Sequence, residues 1–205
     1  WGPSAGGVLS PELVPDESMT SPWRRGGRAR PAPSRPAGTL AGTLARLYTP
    51  ARYLFHTLQM ASAYVGQVSP ASTLTNCNYF QMADSLRWVS HTAYRTRELS
   101  RTFADKGFGE DERRYWEEDA AWQGFRELME RALTVWDWGE AIVVLSLVVK
   151  PAVEEAVLRR LGEAARHNGD TLLGLITDAQ LIDAARHRRW TAAFVAMAME
   201  TPGNL

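Results

Sequence analysis

The sequence predicts an all-α protein, a bundle of long helices over residues 43–205, and three observations predict it. Apolar residues recur at three- and four-residue spacing from Thr49 to Met199, the period of helices that bury one face. Pro70 and Asn168-Gly169-Asp170 divide those stretches into lengths far beyond that of a strand. The β-branched run Ile142 to Val149 would score as a strand alone, but it sits without a turn signal between two helical patterns.

Taken in order, Thr49-Pro50 supplies a cap and a favourable first-turn proline, and Tyr53, Leu54, Leu58, Ala61 and Val65 follow at helical spacing until Pro70. A second helix is expected from Ser72 or Asn76 to about Phe103. Its inward stripe reads as Phe80, Ala83, Leu86, Val89, Ala93 and Leu99, with Arg87, Arg95, Arg97 and Glu98 on the wetter side. Asp105 to Gly109 reads as a turn and Glu110 to Asp119 as a short acidic helix.

The third long helix is expected to start near Ala121 and pass through Phe125, Leu128, Met129, Ala132, Leu133 and Trp136 into the run ending at Val149, which is expected to be buried on nearly all sides. Pro151 removes a backbone donor and is expected to kink the chain before Val153, Val157, Leu158 and Leu161 resume the pattern. Asn168-Gly169-Asp170 combines a left-handed stop with a fresh N-cap. The last helix runs from Thr171 to about Met199, with Leu172, Leu175, Ile176, Leu181, Ala185, Phe194 and Met197 expected inward.

Residues 1–42 differ in kind. They hold seven of the eleven prolines and the run Arg24, Arg25, Arg28, Arg30 and Arg35, which no helical period can use, so this segment is expected to be irregular. A solvated arm accounts for such a run better than a nucleic-acid-binding one. Over the whole chain 23 acidic residues balance 23 basic ones, which argues against a chain-wide attraction to nucleic acid or anionic membrane. The most apolar run, Ala141 to Val149, is far short of the roughly 20 apolar residues of a membrane span. No leader pattern opens the chain and Cys77 stands alone, so the expected compartment is cytoplasmic and the thiol is an ordinary small buried group.

Long helices of this kind suit a ferritin-like bundle, whose metal centre needs Glu-x-x-His pairs that aim a carboxylate and an imidazole at one ion. Here the position three before each histidine holds Tyr53 for His56, Trp88 for His91, Ala164 for His167 and Ala184 for His187. The bundle is therefore expected to lack di-iron ligands. Glu163 with His167 and Asp183 with His187 do stand one turn apart and could serve a free-standing metal-binding bundle, but Arg166, Arg186, Arg188 and Arg189 crowd both pairs and repel a cation. No nucleophile elbow, phosphate loop or zinc-protease motif is present, so no catalytic or cofactor-binding residue is expected in this chain. The tryptophans and tyrosines exceed what one helical core swallows completely and suggest an interface.

Longer wording is more specific. Tyr53-Leu54-Phe55-His56-Thr57-Leu58-Gln59-Met60, Val68-Ser69-Pro70-Ala71-Ser72-Thr73-Leu74-Thr75-Asn76-Cys77, Ala83-Asp84-Ser85-Leu86-Arg87-Trp88 and Trp122-Gln123-Gly124-Phe125-Arg126-Glu127 resemble the β-subunit of the hydroxylase in multicomponent toluene monooxygenases, as does His187-Arg188-Arg189-Trp190-Thr191. The resemblance spans about Leu44 to Met199, leaves residues 1–42 outside and implies a family sequence incomplete at both ends. It implies a ferritin-like subunit without metal ligands, beside an α-subunit that holds the di-iron centre and a small γ-subunit, in an (αβγ)2 assembly. A Rieske-type ferredoxin, an effector protein and an NADH reductase complete such systems, which hydroxylate toluene-like aromatics; related alkene, isoprene and phenol monooxygenases have similar subunits. Arg87, Trp88, His91, Tyr94 and Arg95, spaced along successive turns, are the expected subunit-interface residues.

Overall fold

The computed structural model describes residues 38–200, and the arginine-rich stretch before them lies outside the described residues. Helix α1, Gly38–Leu47, begins inside the segment expected to be irregular. The reason is local composition: Leu40, Ala41, Leu44 and Ala45 repeat on one face and are buried, and Tyr48 follows them into the core. The Trp122 indole donates to the Arg46 carbonyl at 2.8 Å, which ties the end of this helix to a later one.

Helices α2, Ala51–Val68, and α3, Ser72–Thr102, form a hairpin across the short break at Ser69 and Pro70. Gly66 lets them approach, since a Cβ there would stand 2.6 Å from the Tyr79 ring. A left-handed Gly107 turns the chain out of α3, and its side would otherwise meet Asp111 at 2.2 Å. Two short helices follow, α4 at Glu112–Glu118 and α5 at Ala120–Ala132, the second capped by the Asp119 side chain.

The third expected helix is broken. Leu133 to Asp137 leaves the helical path, and Asp137 then caps a new start by accepting from the Glu140 amide at 2.9 Å. From there α6 runs over residues 138–167 without interruption, passing through π-helical turns at Val143–Val149 and Glu154–Arg159. Pro151 causes no break. The Lys150 amide bonds five residues back, to Leu145, so the proline lies where the bonding register has already changed.

Gly169, at φ 75°, closes α6 and opens α7, Thr171–Glu200. Gly162 brings α6 against α7, where a Cβ would meet the Thr177 hydroxyl at 2.4 Å. The long helices α2, α3, α7 and α6 thus pack in a ring, with α4 and α5 in the crossover from α3 to α6. This is a ferritin-like bundle. No strand occurs among the described residues, and none of their helices is long and apolar enough to cross a membrane.

On α3 the expected inner and outer faces are largely exchanged. The inner face of α3 is Asn78, Gln81, Asp84, Ser85, Trp88, Thr92, Arg95, Thr96 and Leu99, while Phe80 and Leu86 are 69% and 48% exposed. On α7 the expected stripe holds in part: Ile176 is buried and Leu172, Leu181, Ala185 and Phe194 are partly so, beside an inner row of Thr177, Gln180, Asp183, His187 and Thr191, while Leu175, expected inward, and Ile182 are 62% and 66% exposed. Met197 also lies outward, and the run of α6 expected to be buried all round shows Val143, Leu147 and Val148 at the surface. The polar inner faces are tolerated because many of their groups are satisfied close by. Ser85, Thr92, Thr96, Thr177 and Thr191 donate to carbonyls one turn back, and Gln81 donates to Ser62 on α2.

Candidate functional site

The inward polar faces of α3 and α7 meet in a closed set of ion pairs. Asp84 and Arg87 stand three residues apart on α3, and Asp183 and Arg186 stand three apart on α7, so each helix offers one acid and one base to the same side. Arg87 Nη2 donates to Asp84 Oδ1 at 3.0 Å and also to Asp183. Arg186 Nη2 donates to Asp84 and, at 3.3 Å, to Asp183 Oδ1. Each arginine bridges both carboxylates. The aspartates are buried, whereas the guanidiniums remain half exposed along the seam between the helices.

The next residue on each helix points deeper. Trp88 is fully buried and its indole donates to Asp183 Oδ2 at 3.0 Å, while Phe55 meets the ring edge-on at 5.5 Å. His187 is also buried, with Nε2 2.8 Å from Asp84 Oδ2. Below them Lys150 of α6 places its ammonium 5.0 Å from the Trp88 ring centre, a cation-π arrangement. Glu154, one turn further along α6, is held by Arg188.

These groups set one another's protonation. Burial, opposed by the bond to Asp84 and aided by the charge of Lys150, lowers His187 to about 4. Burial also lowers Lys150 to about 8, against the attraction of Glu154 and Asp84. Asp84 is pushed up by burial, but the bonds from His187 and Arg186 outweigh this and hold its carboxyl below the usual range. The folded chain therefore keeps His187 neutral at neutral pH, while Lys150 still carries its proton there but holds it less tightly than it would in water.

Both shifts are downward from the unfolded values, so the unfolded chain binds more protons in two windows and stability rises with pH across each. His187 loses stability as pH falls from 6.5 toward 4, and Lys150 regains it as pH rises from 8 to 10.5. Lys150→Met, which keeps the volume and drops the charge, is expected to stabilise the chain at neutral pH by on the order of 2 kcal/mol. It should also flatten the alkaline window. Denaturant titrations at stepped pH check this, and a variant as pH-dependent as the parent above pH 8 would refute it.

The box has the spacing of a bundle di-metal motif but the wrong chemistry. In Asp-x-x-Arg a guanidinium, which has no lone pair to give, stands where Glu-x-x-His has an imidazole, and both carboxylates are already taken by fixed cations. A metal ion does not fit there, and no group of three or more His, Cys, Asp or Glu suited to a metal occurs among the described residues. Glu163 and His167 lie at the exposed end of α6, while Asp183 and His187 are engaged inside. The four do not come together.

The expected interface residues also separate. Trp88 and Arg95 are interior. Arg95 donates to Glu98 at 3.1 Å and to the fully buried Asp170 at 2.6 Å. Arg87 is half exposed in the box, His91 is half buried and lowered in pKa by burial and by Arg87, and Tyr94 is exposed. Cys77 is only partly buried. Sequence reasoning missed Asp84, Asp183 and Arg186 as one unit, although the repeated Asp-x-x-Arg was visible.

With that geometry in place, the comparisons with known proteins agree with one another. Residues 25–202 match the family described as methane/phenol/alkene hydroxylase. The hydroxylase component subunit beta of the toluene-4-monooxygenase system of Ectopseudomonas mendocina is 59% identical over 162 residues, 79% of this chain and 50% of that protein. The oxygenase component DmpL of phenol 2-monooxygenase from Pseudomonas sp. strain CF600 is 25% identical over 177 residues, 83% of this chain and 51% of that protein. A solved structure of toluene 4-monooxygenase, with toluene bound in the resting active site, superposes with a TM-score of 0.81 at 56% identity over 82% of this chain and 56% of that one. The chain spans about half the length of these curated relatives.

Proposed function

The chain belongs to the methane/phenol/alkene hydroxylase family, and from that premise we propose that it is the non-catalytic β-subunit of a multicomponent monooxygenase hydroxylase. In this reading it braces an α-subunit that holds the di-iron centre, together with a γ-subunit in an (αβγ)2 assembly. Electrons from NADH reach that centre through a reductase and a Rieske-type ferredoxin, an effector protein tunes it, and the substrate class is toluene-like aromatics. The single observation that carries the scaffold role is the outward apolar surface of α3 and α7. Phe80 and Leu86 lie outward on α3, whose inner face is largely polar, and Leu175 and Ile182 lie outward on α7; such faces are covered in an assembly.

Support for an absent reaction centre comes from the box, where arginines hold the carboxylates that a metal would need. A brace of this kind matters to catalysis at a distance, because metal ligands misplaced by an angstrom cost large factors in rate. The test is co-expression with α- and γ-chains followed by sedimentation and iron analysis. Equimolar assembly with all iron in α is expected. An isolated, folded chain that bound two irons and oxidised substrate unaided would end the scaffold reading.

A further inference from the structure

We propose that the outer face of α3 and α7 receives an acidic amphipathic helix of the α-subunit, which sets a carboxylate over the guanidiniums of Arg87 and Arg186 and rests its apolar side on Phe80, Leu175 and Ile182. The proposal rests on the subunit reading above and specifies the partner's chemistry at one surface. Phe80, Ala83 and Arg87 follow one another at helical spacing on α3, as do Leu175, Ile182, Arg186 and Arg189 on α7. The ion pairs of the box lock the two helices side by side, so apolar groups flank a central pair of arginines. That is the layout of an interface with a charged centre and apolar surroundings.

The box also explains why those arginines suit recognition. Their side chains are held from beneath by Asp84 and Asp183, yet are 50% and 47% exposed. Binding them therefore loses little side-chain freedom, which is the main cost of capturing a long cation. A planar guanidinium fixed in this way presents its remaining N–H groups to a carboxylate.

Charge supplies the sign of the partner. The two aspartates balance the two arginines, and Glu154 is taken by Arg188. Lys150 lies beneath with no hydrogen-bond partner among the described residues, and Arg189 is exposed at the surface with no ion pair among them. The seam thus carries a positive surplus over a poorly solvated interior, where a neighbouring charge is weakly screened. An approaching cationic helix would be repelled, and an acidic one attracted.

Another outward apolar region is an open groove of about 470 Å³ between α6 and α7, lined among others by Leu147, Pro151 and Val195. Its arginine, Arg188, is already bound to Glu154. It lacks the paired cations that give the α3–α7 face its preference.

Ile182→Glu and Ile182→Lys in the full chain, each mixed with recombinant α- and γ-chains, test the idea by sedimentation velocity. Ile182 is at the surface, so both variants should keep the parent's helicity and melting behaviour alone. Ile182→Glu is expected to weaken assembly by about 100-fold, and Ile182→Lys by about tenfold less than that. High salt should narrow the gap between them. Parental assembly by both variants would overturn the proposed face, and a lysine variant as damaging as the glutamate one would overturn the acidic partner. If the parent chain itself failed to assemble with α and γ, the subunit reading would fall first and this proposal with it.

Discussion

Asp170→Ala is expected to cost the isolated chain about 3–5 kcal/mol, more than any surface change. Asp170 is fully buried and does two jobs. Its Oδ1 accepts from the Leu173 amide at 3.1 Å and starts α7, while Oδ2 accepts from Arg95 of α3 at 2.6 Å. Removing it uncaps a helix of thirty residues and leaves a guanidinium buried without its main counter-charge. Asp170→Asn separates the two contributions, because an amide oxygen can still cap but carries no charge. Urea unfolding followed by circular dichroism should rank parent, Asn variant and Ala variant in that order. An Asn variant as stable as the parent would mean that the buried charge contributes nothing.

Trp88→Ala is expected to be of similar size, about 3–5 kcal/mol, and to act on the fold rather than on assembly. The ring is fully enclosed, touches Phe55 edge-on, underlies Lys150 and donates to Asp183. Truncation opens a cavity and withdraws one donor from the box, so the loss should exceed that of Trp88→Phe, which keeps most of the packing. Unfolding of the isolated chain by heat and denaturant measures it. A variant that kept the parent's stability yet failed to join the α-chain would return Trp88 to the interface group and contradict its enclosed position.

Helix ends were legible where the chain carries its own punctuation. Thr49-Pro50, Pro70 and Asn168-Gly169-Asp170 mark the start and end of α2 and the starts of α3 and α7, although the Thr49 hydroxyl donates back to the Ala45 carbonyl instead of capping α2. The break before Asp137 escaped notice because Trp136 and Trp138 continue an apolar impression while a single carboxylate does the capping. Helix faces were less legible. Periodicity locates an apolar stripe but not which face a helix turns inward, and on α3 polar groups with bonding partners inside, Asp84 and Arg95 among them, take the inner side. Phe80, Leu86 and Leu175 were misplaced inward for that reason, and Asp84, Arg95 and Asp183 outward or unremarked.

The candidate site shows the same limit. A carboxylate three residues before a histidine reports on metal, whereas here the same one-turn spacing joins a carboxylate to an arginine. Asp84 with Arg87 and Asp183 with Arg186 preserve the one-turn geometry and replace a ligand by a fixed cation. Only the contact between α3 and α7 shows that the two pairs are one object.

The π-helical turns of α6 carry a consequence for how this chain tolerates insertion and deletion. Each such turn holds an extra residue relative to regular helix, and every residue of an α-helix rotates the next by about 100°. Deleting one residue within Val143–Val149 would remove that extra residue and let the segment relax into ordinary helix with the helix on either side in its present phase. Val153, Val157, Leu158 and Leu161 would stay inside, and Glu154 would stay with Arg188. A single-codon deletion in this apolar stretch should therefore be better tolerated than one in the regular turns of α2, where nothing absorbs the rotation of about 100° and the buried face would swing outward.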